Sequence, residues 1–193
     1  MKITVCELPN EPSSFSDAWS SLVQHVGDNQ SDLVLLPEMP FYRWLAQSQD
    51  VDPVEWQRAV EAHDEWISRF GELHPAAVVS SRPVVSDGRR QNMGYCWQPN
   101  TGTVDVHAKR YLPNELGFWE ASWYVRGPGD FSLARVAGAK LGFLICTELW
   151  FSNHARDYGR HGAQIVACPR ATPSAKLSKW RPPKAEISPV SGG

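Results

Sequence analysis

The sequence predicts an α/β fold, and three observations lead there. Short apolar runs of strand length alternate with stretches of helical period; two pairs of adjacent strands read as antiparallel hairpins within that alternation; and no apolar run outgrows a strand, so the elements must share one interior. With 193 residues, 42% of them hydrophobic and 21% charged, the chain is long enough for one well-buried domain and short for two.

Lys2 to Cys6 alternates and is rich in β-branched residues, so it reads as a strand. Phe15, Trp19, Leu22, Val23 and Val26 then recur on one face of a helix. Asp32 to Pro37 is nearly all apolar between polar flanks, the mark of a strand buried on both faces, and it runs out at Glu38. A second helix is announced by Asp52 as N-cap, Pro53 at its first position and Glu55 three residues after the cap. Its face carries Trp56, Val60, His63, Ile67 and Phe70, and Gly71 is its expected stop.

Ala76 to Val85, Asn92 to Trp97 and Thr103 to Lys109 read as strands, the last two joined by a turn over 99–102. Arg110 to Asp130 holds Pro113, Gly117, Pro128 and Gly129 beside Trp119, Trp123 and Tyr124: too aromatic for a linker, too broken for a helix, and long enough to be functional. Phe131 to Val136 and Lys140 to Cys146 form a hairpin across 137–139. Ser152 is the expected cap of a helix reaching about Gly162, and Ala163 to Cys168 is a last strand. From Arg170 onward prolines and basic residues dominate, so 1–172 reads as the domain and 173–193 as a weakly ordered tail.

Several functions are excluded early. A formal net charge of -2 leaves no basic surface for phosphate neutralisation, so no nucleic-acid partner is expected. Runs such as Leu33 to Pro37 and Leu141 to Cys146 are far too short to cross a bilayer, and the start of the chain has no signal-like pattern, so neither a membrane nor a leader is expected. Cys6, Cys96, Cys146 and Cys168 lack C-x-x-C spacing, which favours reduced thiols in a cytoplasm. His154 and His161 lie seven residues apart with no third ligand, so no metal site is expected.

Chemistry concentrates at three strand ends. Glu38, Lys109 and Cys146 each stand where an apolar strand runs out, and charges there are costly unless paired, so they could be one another's partners. Cys146 lies before a helix start, whose backbone N–H groups favour a thiolate, and Glu38 can supply a base. The bland alternatives are a packed thiol, a solvated strand-end lysine and a turn carboxylate, which together would make an α/β binding module. Tyr42, Trp119, Trp150 and Phe151 either line a pocket or belong to the core, and Glu148 is counted with the pocket.

The blocks LLPEMPF around Glu38, HAKRYLPNE around Lys109 and GFLICTELWF around Cys146 resemble the nitrilase superfamily of carbon-nitrogen hydrolases, over about Lys2 to Thr172. The resemblance implies an α-β-β-α sandwich of two mixed sheets flanked by helices. It implies Glu38 as general base, Lys109 as the cation at the oxyanion, and Cys146 as the nucleophile. Glu120 fits the place of a second glutamate better than Glu115, and the backbone N–H of Thr147 would be the other oxyanion donor. It implies no cofactor, and a small linear amide or N-carbamoyl substrate ahead of a nitrile. It also implies pairing of two copies through 151–162. Members of the superfamily usually continue beyond the last strand seen here, so a shortened chain is expected, with its last strands missing; an inactive remnant is the alternative outcome.

Overall fold

Five strands order themselves into one sheet in sequence order. The computed structural model describes residues 1–9 and 12–171, and its larger sheet is β1 (Ile3–Val5), β2 (Leu33–Glu38), β3 (Ala77–Ser86), β4 (Arg89–Gln98) and β5 (Gly102–Ala108). β1, β2 and β3 run parallel, while β4 and β5 each reverse direction. Two reversals restore the original sense, so β2 and β5 end at the same edge of the sheet. That places Glu38 and Lys109 together.

A second sheet holds β6 (Ala134–Val136), β7 (Ala139–Phe143) and β8 (Ile165–Ala167), with β6 antiparallel and β8 parallel to β7. Ala137 and Gly138 close the β6–β7 hairpin with φ of 46° and 81°, the left-handed pair that a two-residue hairpin requires. The helices are α1 (Pro12–Asn29), α2 (Pro53–Ser68), α3 (Glu120–Trp123) and α4 (Ser152–Arg160).

Alternation along β2 explains the layers. Val34 and Leu36 join Phe15, Trp19, Leu22 and Val26 of α1 and Phe70 in a core on one face of the large sheet. Leu33 joins Ala77, Val79 and Cys96 against Val136, Leu141, Phe143 and Ile145 between the sheets. The sheets approach closely at Gly94, where a Cβ would lie 2.8 Å from the Phe143 ring. On the outer face of the small sheet Tyr158 of α4 lies over Gly142, which leaves only 2.6 Å for a Cβ, and its hydroxyl bonds both the N–H and the carbonyl of Phe143. The result is the expected α-β-β-α sandwich.

The α2 start is as expected: Asp52 Oδ1 accepts from the N–H groups of Val54 and Glu55 at 2.8 and 3.4 Å. Other boundaries differ. α2 ends at Ser68, and a 3₁₀ turn over Phe70–Leu73 follows, so Gly71 sits inside a second turn. Ser152 is the first residue of α4 and does not cap it; Phe151 holds the cap position with no side-chain bond. β6 begins at Ala134 and not Phe131, whose φ of 40° breaks the strand. The long 110–130 connection contains the helical turn α3, anchored by Trp123 Nε1 donating to the Ser48 carbonyl at 2.7 Å and packed with Tyr124 against Trp56 and Ala59 of α2. The tail expected over 173–193 lies outside the described residues.

Candidate active site

Glu38 closes β2 just after the register with β3 slips between Leu35 and Glu38. The next residue, Met39, turns the chain away with φ of 47°. Ser80 Oγ donates to the Pro37 carbonyl at 2.6 Å and the Met39 N–H to the Ser81 carbonyl at 3.2 Å, which fixes this strand end from its neighbour. The carboxylate is buried, and Oε1 accepts from Lys109 Nζ and from Asn92 Nδ2, both at 2.8 Å. Oε2 accepts from the Ala171 N–H at 3.1 Å.

Lys109 follows β5 directly. Its N–H donates to the Asn92 carbonyl at 2.8 Å, so the β4–β5 ladder aligns the two side chains that reach Glu38. Its carbonyl accepts from Gly127 at 2.9 Å, and a Cβ on Gly127 would lie 2.0 Å from the Ala108 carbonyl oxygen. Only glycine lets the far end of the 110–130 segment press this closely on the lysine. That return brings α3 over the site: Lys109 Nζ donates to Glu120 Oε1 at 2.8 Å and lies 2.7 Å from Oε2, which has no hydrogen bond of its own.

One buried ammonium thus stands between two buried carboxylates. Burial alone would lower the Lys109 pKa, but Glu38 and then Glu120 outweigh it and raise the pKa above the usual lysine range. Glu120 moves the other way from most ion-paired acids: burial and the charge of Glu38 raise its pKa against the pull of Lys109.

Cys146 lies beyond β7, where the ladder with β8 continues: its N–H donates to the Pro169 carbonyl at 3.0 Å. Its φ of 48° is unusual for a residue with a side chain, and such a conformation costs of order 1–3 kcal/mol, held only by surrounding contacts. The helix start expected to favour a thiolate at Cys146 is only a short turn. The turn that starts here is a 3₁₀ segment, Cys146–Trp150, too short for a strong dipole. Burial first, then Glu38, push the thiol up to about 12, so it rests protonated beside the carboxylate.

The residues grouped as pocket lining separate. Glu148 is buried at 0% exposure. Its Oε1 accepts from the Arg110 N–H at 2.6 Å, and its Oε2 from His107 Nε2 and the Ile145 N–H, both at 2.8 Å. Trp150 is 69% exposed on the outer surface. Phe151 stacks on Tyr111 with centroids 3.7 Å apart. Tyr42 donates its hydroxyl to Glu55 at 2.9 Å, and the Trp119 N–H donates to the Ala46 carbonyl at 2.8 Å. Thr147 Oγ1 donates to the Tyr111 carbonyl at 2.9 Å. Glu115 is exposed in a turn closed by a bridge to Phe118, outside the cluster.

His154 Nε2 is engaged by the Tyr111 hydroxyl at 2.9 Å and His161 Nδ1 by the Asp157 carbonyl at 2.8 Å. Among the described residues no cluster of His, Cys, Asp and Glu could hold a metal ion. Sequence reading missed Asn92 and His107. An asparagine inside a strand is out of place by propensity, and that was the available signal for Asn92.

Fold and site together define a class: a two-sheet α/β protein that buries a carboxylate–lysine–carboxylate cluster beside a cysteine at the C-terminal ends of its strands. The sequence profile described as carbon-nitrogen hydrolase matches residues 2–184, and the chain belongs to that family. It is similar to a citrullinase of Francisella tularensis, at 23% identity over 181 residues that cover 89% of this chain and 61% of that protein. Its fold is similar to a carbon-nitrogen hydrolase of Helicobacter pylori, with a TM-score of 0.71 at 20% identity over 89% of this chain and 59% of the other. An amidase from Nesterenkonia sp. gives 0.70 at 20% identity, over 92% and 67%. The chain spans about three-fifths of the length of the first two.

Proposed function

We propose that the chain hydrolyses a carbon–nitrogen bond other than a peptide bond, in a small linear amide or N-carbamoyl compound, through a thioester on Cys146. The observation that carries this reading is Lys109 Nζ held at 2.8 Å from both Glu38 and Glu120, with the Cys146 thiol within reach of the charges on all three. Similarity to a citrullinase and to an amidase supports the substrate class.

The resting thiol is neutral, so proton transfer must accompany attack. Glu38 takes the Sγ proton as Sγ bonds to the carbonyl carbon, and the carbonyl π electrons pass to its oxygen. Lys109 and the Thr147 N–H hold that oxyanion; donors so placed are worth roughly 3–4 kcal/mol each. When the tetrahedral intermediate collapses, the C–N bond breaks and Glu38 returns its proton to the leaving ammonia or amine. A water deprotonated by Glu38 then attacks the thioester, releasing the acid and restoring the thiol. A nitrile would enter by the same attack on its carbon.

Two copies pairing through 151–162, in a reducing cytoplasm, belong to the same proposal. Exposed Leu149 and Trp150 in the turn before α4, with Phe151 at its cap, support the pairing, and Trp150→Glu beside the segment should then convert a dimer to a monomer on sedimentation. The decisive experiment is single-turnover ammonia release from small amides, carbamoyl compounds and nitriles, with the wild-type chain and Cys146→Ala side by side. Release that disappears in the variant is the expected result. No release from a wild-type chain that unfolds cooperatively would overturn the hydrolase reading in favour of an inactive remnant or an association module.

A further inference from the structure

The proposed reaction leaves Glu148 without a role, yet this acid is as fully supplied with donors as Glu38 is. A fully buried carboxylate is costly unless donors compensate it, and here three do, from three separate places. The Arg110 N–H belongs to the first peptide after Lys109; the Ile145 N–H belongs to the residue before Cys146; His107 projects from near the end of β5. β5 belongs to the larger sheet and the Cys146 turn follows β7 of the smaller one. One side chain therefore ties together the two chain segments that carry the lysine and the thiol, across the junction of the sheets.

We propose that Glu148 is a positioning residue of this hydrolase site, setting the distance between Lys109 and Cys146 by holding the backbone N–H groups of their neighbours Arg110 and Ile145. The inference rests on the hydrolase reading. A carboxylate suits the task because it accepts on both oxygens, whereas any amide must turn its NH₂ toward one of the three donors. The Ile145 bond lies one residue before the left-handed Cys146, where a released turn would relax toward ordinary backbone angles and carry Sγ away from the oxyanion site. His107 holds its own place in the clamp: Oε2 already accepts from Ile145, so Nε2 carries the hydrogen, and the ring packs 4.8 Å from Phe131.

The test compares Glu148→Gln and Glu148→Asp with the wild-type chain in three readouts: steady-state ammonia release, iodoacetamide alkylation of Cys146 resolved from the other thiols by peptide mass spectrometry, and thermal unfolding. Misplacing reacting groups by about an ångström costs on the order of 100-fold in rate. The expected result for Glu148→Gln is a kcat lower by about that factor with KM within roughly threefold, a Cys146 alkylation rate displaced about tenfold, and an unchanged rate at Cys6. Glu148→Asp, which keeps both acceptors on a shorter arm, should recover part of the loss. A folded Glu148→Gln with kcat and Cys146 alkylation both within twofold of wild type would overturn the proposal. If Glu148→Gln loses its cooperative transition, Glu148→Asp decides by the same criteria, and loss of folding in both variants overturns positioning in favour of a purely structural role. Wild-type chain without Cys146-dependent release would defeat the hydrolase reading instead, and the alkylation arm would still decide the clamp.

Discussion

Two carboxylate clusters flank Cys146, and they are built on opposite principles. Around Glu148 three donors meet two oxygens, from Arg110, His107 and Ile145, and neither oxygen is left over. Around Lys109 the donors are fewer than the oxygens: Glu38 takes the ammonium, Asn92 and the Ala171 N–H, while among the described residues Glu120 has only the ammonium and its Oε2 finds no hydrogen bond. A saturated cluster gains nothing by accepting another group or proton, so it suits holding. An undersupplied one can take up a proton or a polar ligand at little cost, so it suits reacting. The molecule separates rigidity from reactivity within a few residues of one thiol.

The hardest test of that contrast removes the cation. Lys109→Met leaves two buried carboxylates facing each other, and breaking a buried pair in this way costs about 3–5 kcal/mol. Urea unfolding at neutral pH should show that loss, and on the proposed mechanism, in which Lys109 holds the oxyanion, ammonia release should fall by roughly 100-fold or more. Adding Glu120→Gln to Lys109→Met should return part of the stability, because the repulsion is gone. If the double variant is as unstable as the single one, the two acids do not compete for one cation and the comparison fails.

A smaller effect tests where the spare proton sits. Glu120 has a raised pKa in the folded chain, chiefly from burial, so between the ordinary glutamate range and its folded pKa the native state binds more protons than the unfolded one. Stability from this group therefore falls as pH rises through that window, by at most about 1.4 kcal/mol per unit. His63 slopes the opposite way: burial first lowers its pKa to about 4, so its contribution grows as pH rises from 4 to the ordinary histidine range. The difference between wild type and Glu120→Gln isolates the acid. Plotted from pH 5 to 8, the wild-type advantage should shrink with pH; a flat difference would place the proton elsewhere.

Much of the frame was legible. The doubly apolar β2 run, the Asp52–Pro53–Glu55 helix start and the pairing of β6 with β7 are local signals that the packing agrees with, the hairpin turn being one residue tighter than the expected 137–139. Three strand ends with sequence blocks around them pointed to the residues that meet. What stayed hidden depends on contacts far along the chain. The α3 turn forms because Gly127 lets its segment fold back on Ala108 and Trp123 reaches Ser48, neither of which a window of neighbouring residues reveals. The neutral state of the thiol likewise depends on burial and on Glu38, which outweigh the N-terminus of a five-residue turn. Glu148 was misplaced although a local clue existed: it stands three residues after Ile145, the spacing at which a glutamate bonds back to a cap N–H.

The smallest expected effect asks whether that turn has one strap or two. Thr147 Oγ1 donates to the Tyr111 carbonyl at 2.9 Å, one residue beyond the Arg110 peptide that Glu148 holds, so it runs beside the carboxylate clamp between the same two segments. It is a single neutral bond at a partly buried site, worth about 0.5–1.5 kcal/mol. Thr147→Val keeps the shape and should lower the melting temperature by only about 2–4 °C, less than Glu148→Gln does. The measurement sharpens the comparison through additivity. If the hydroxyl and the carboxylate are parts of one clamp, the losses in Thr147→Val and Glu148→Gln should fail to add in the double variant, because a turn already released has little left to lose. Strict additivity would mean that Glu148 bears the junction alone and Thr147 only decorates it.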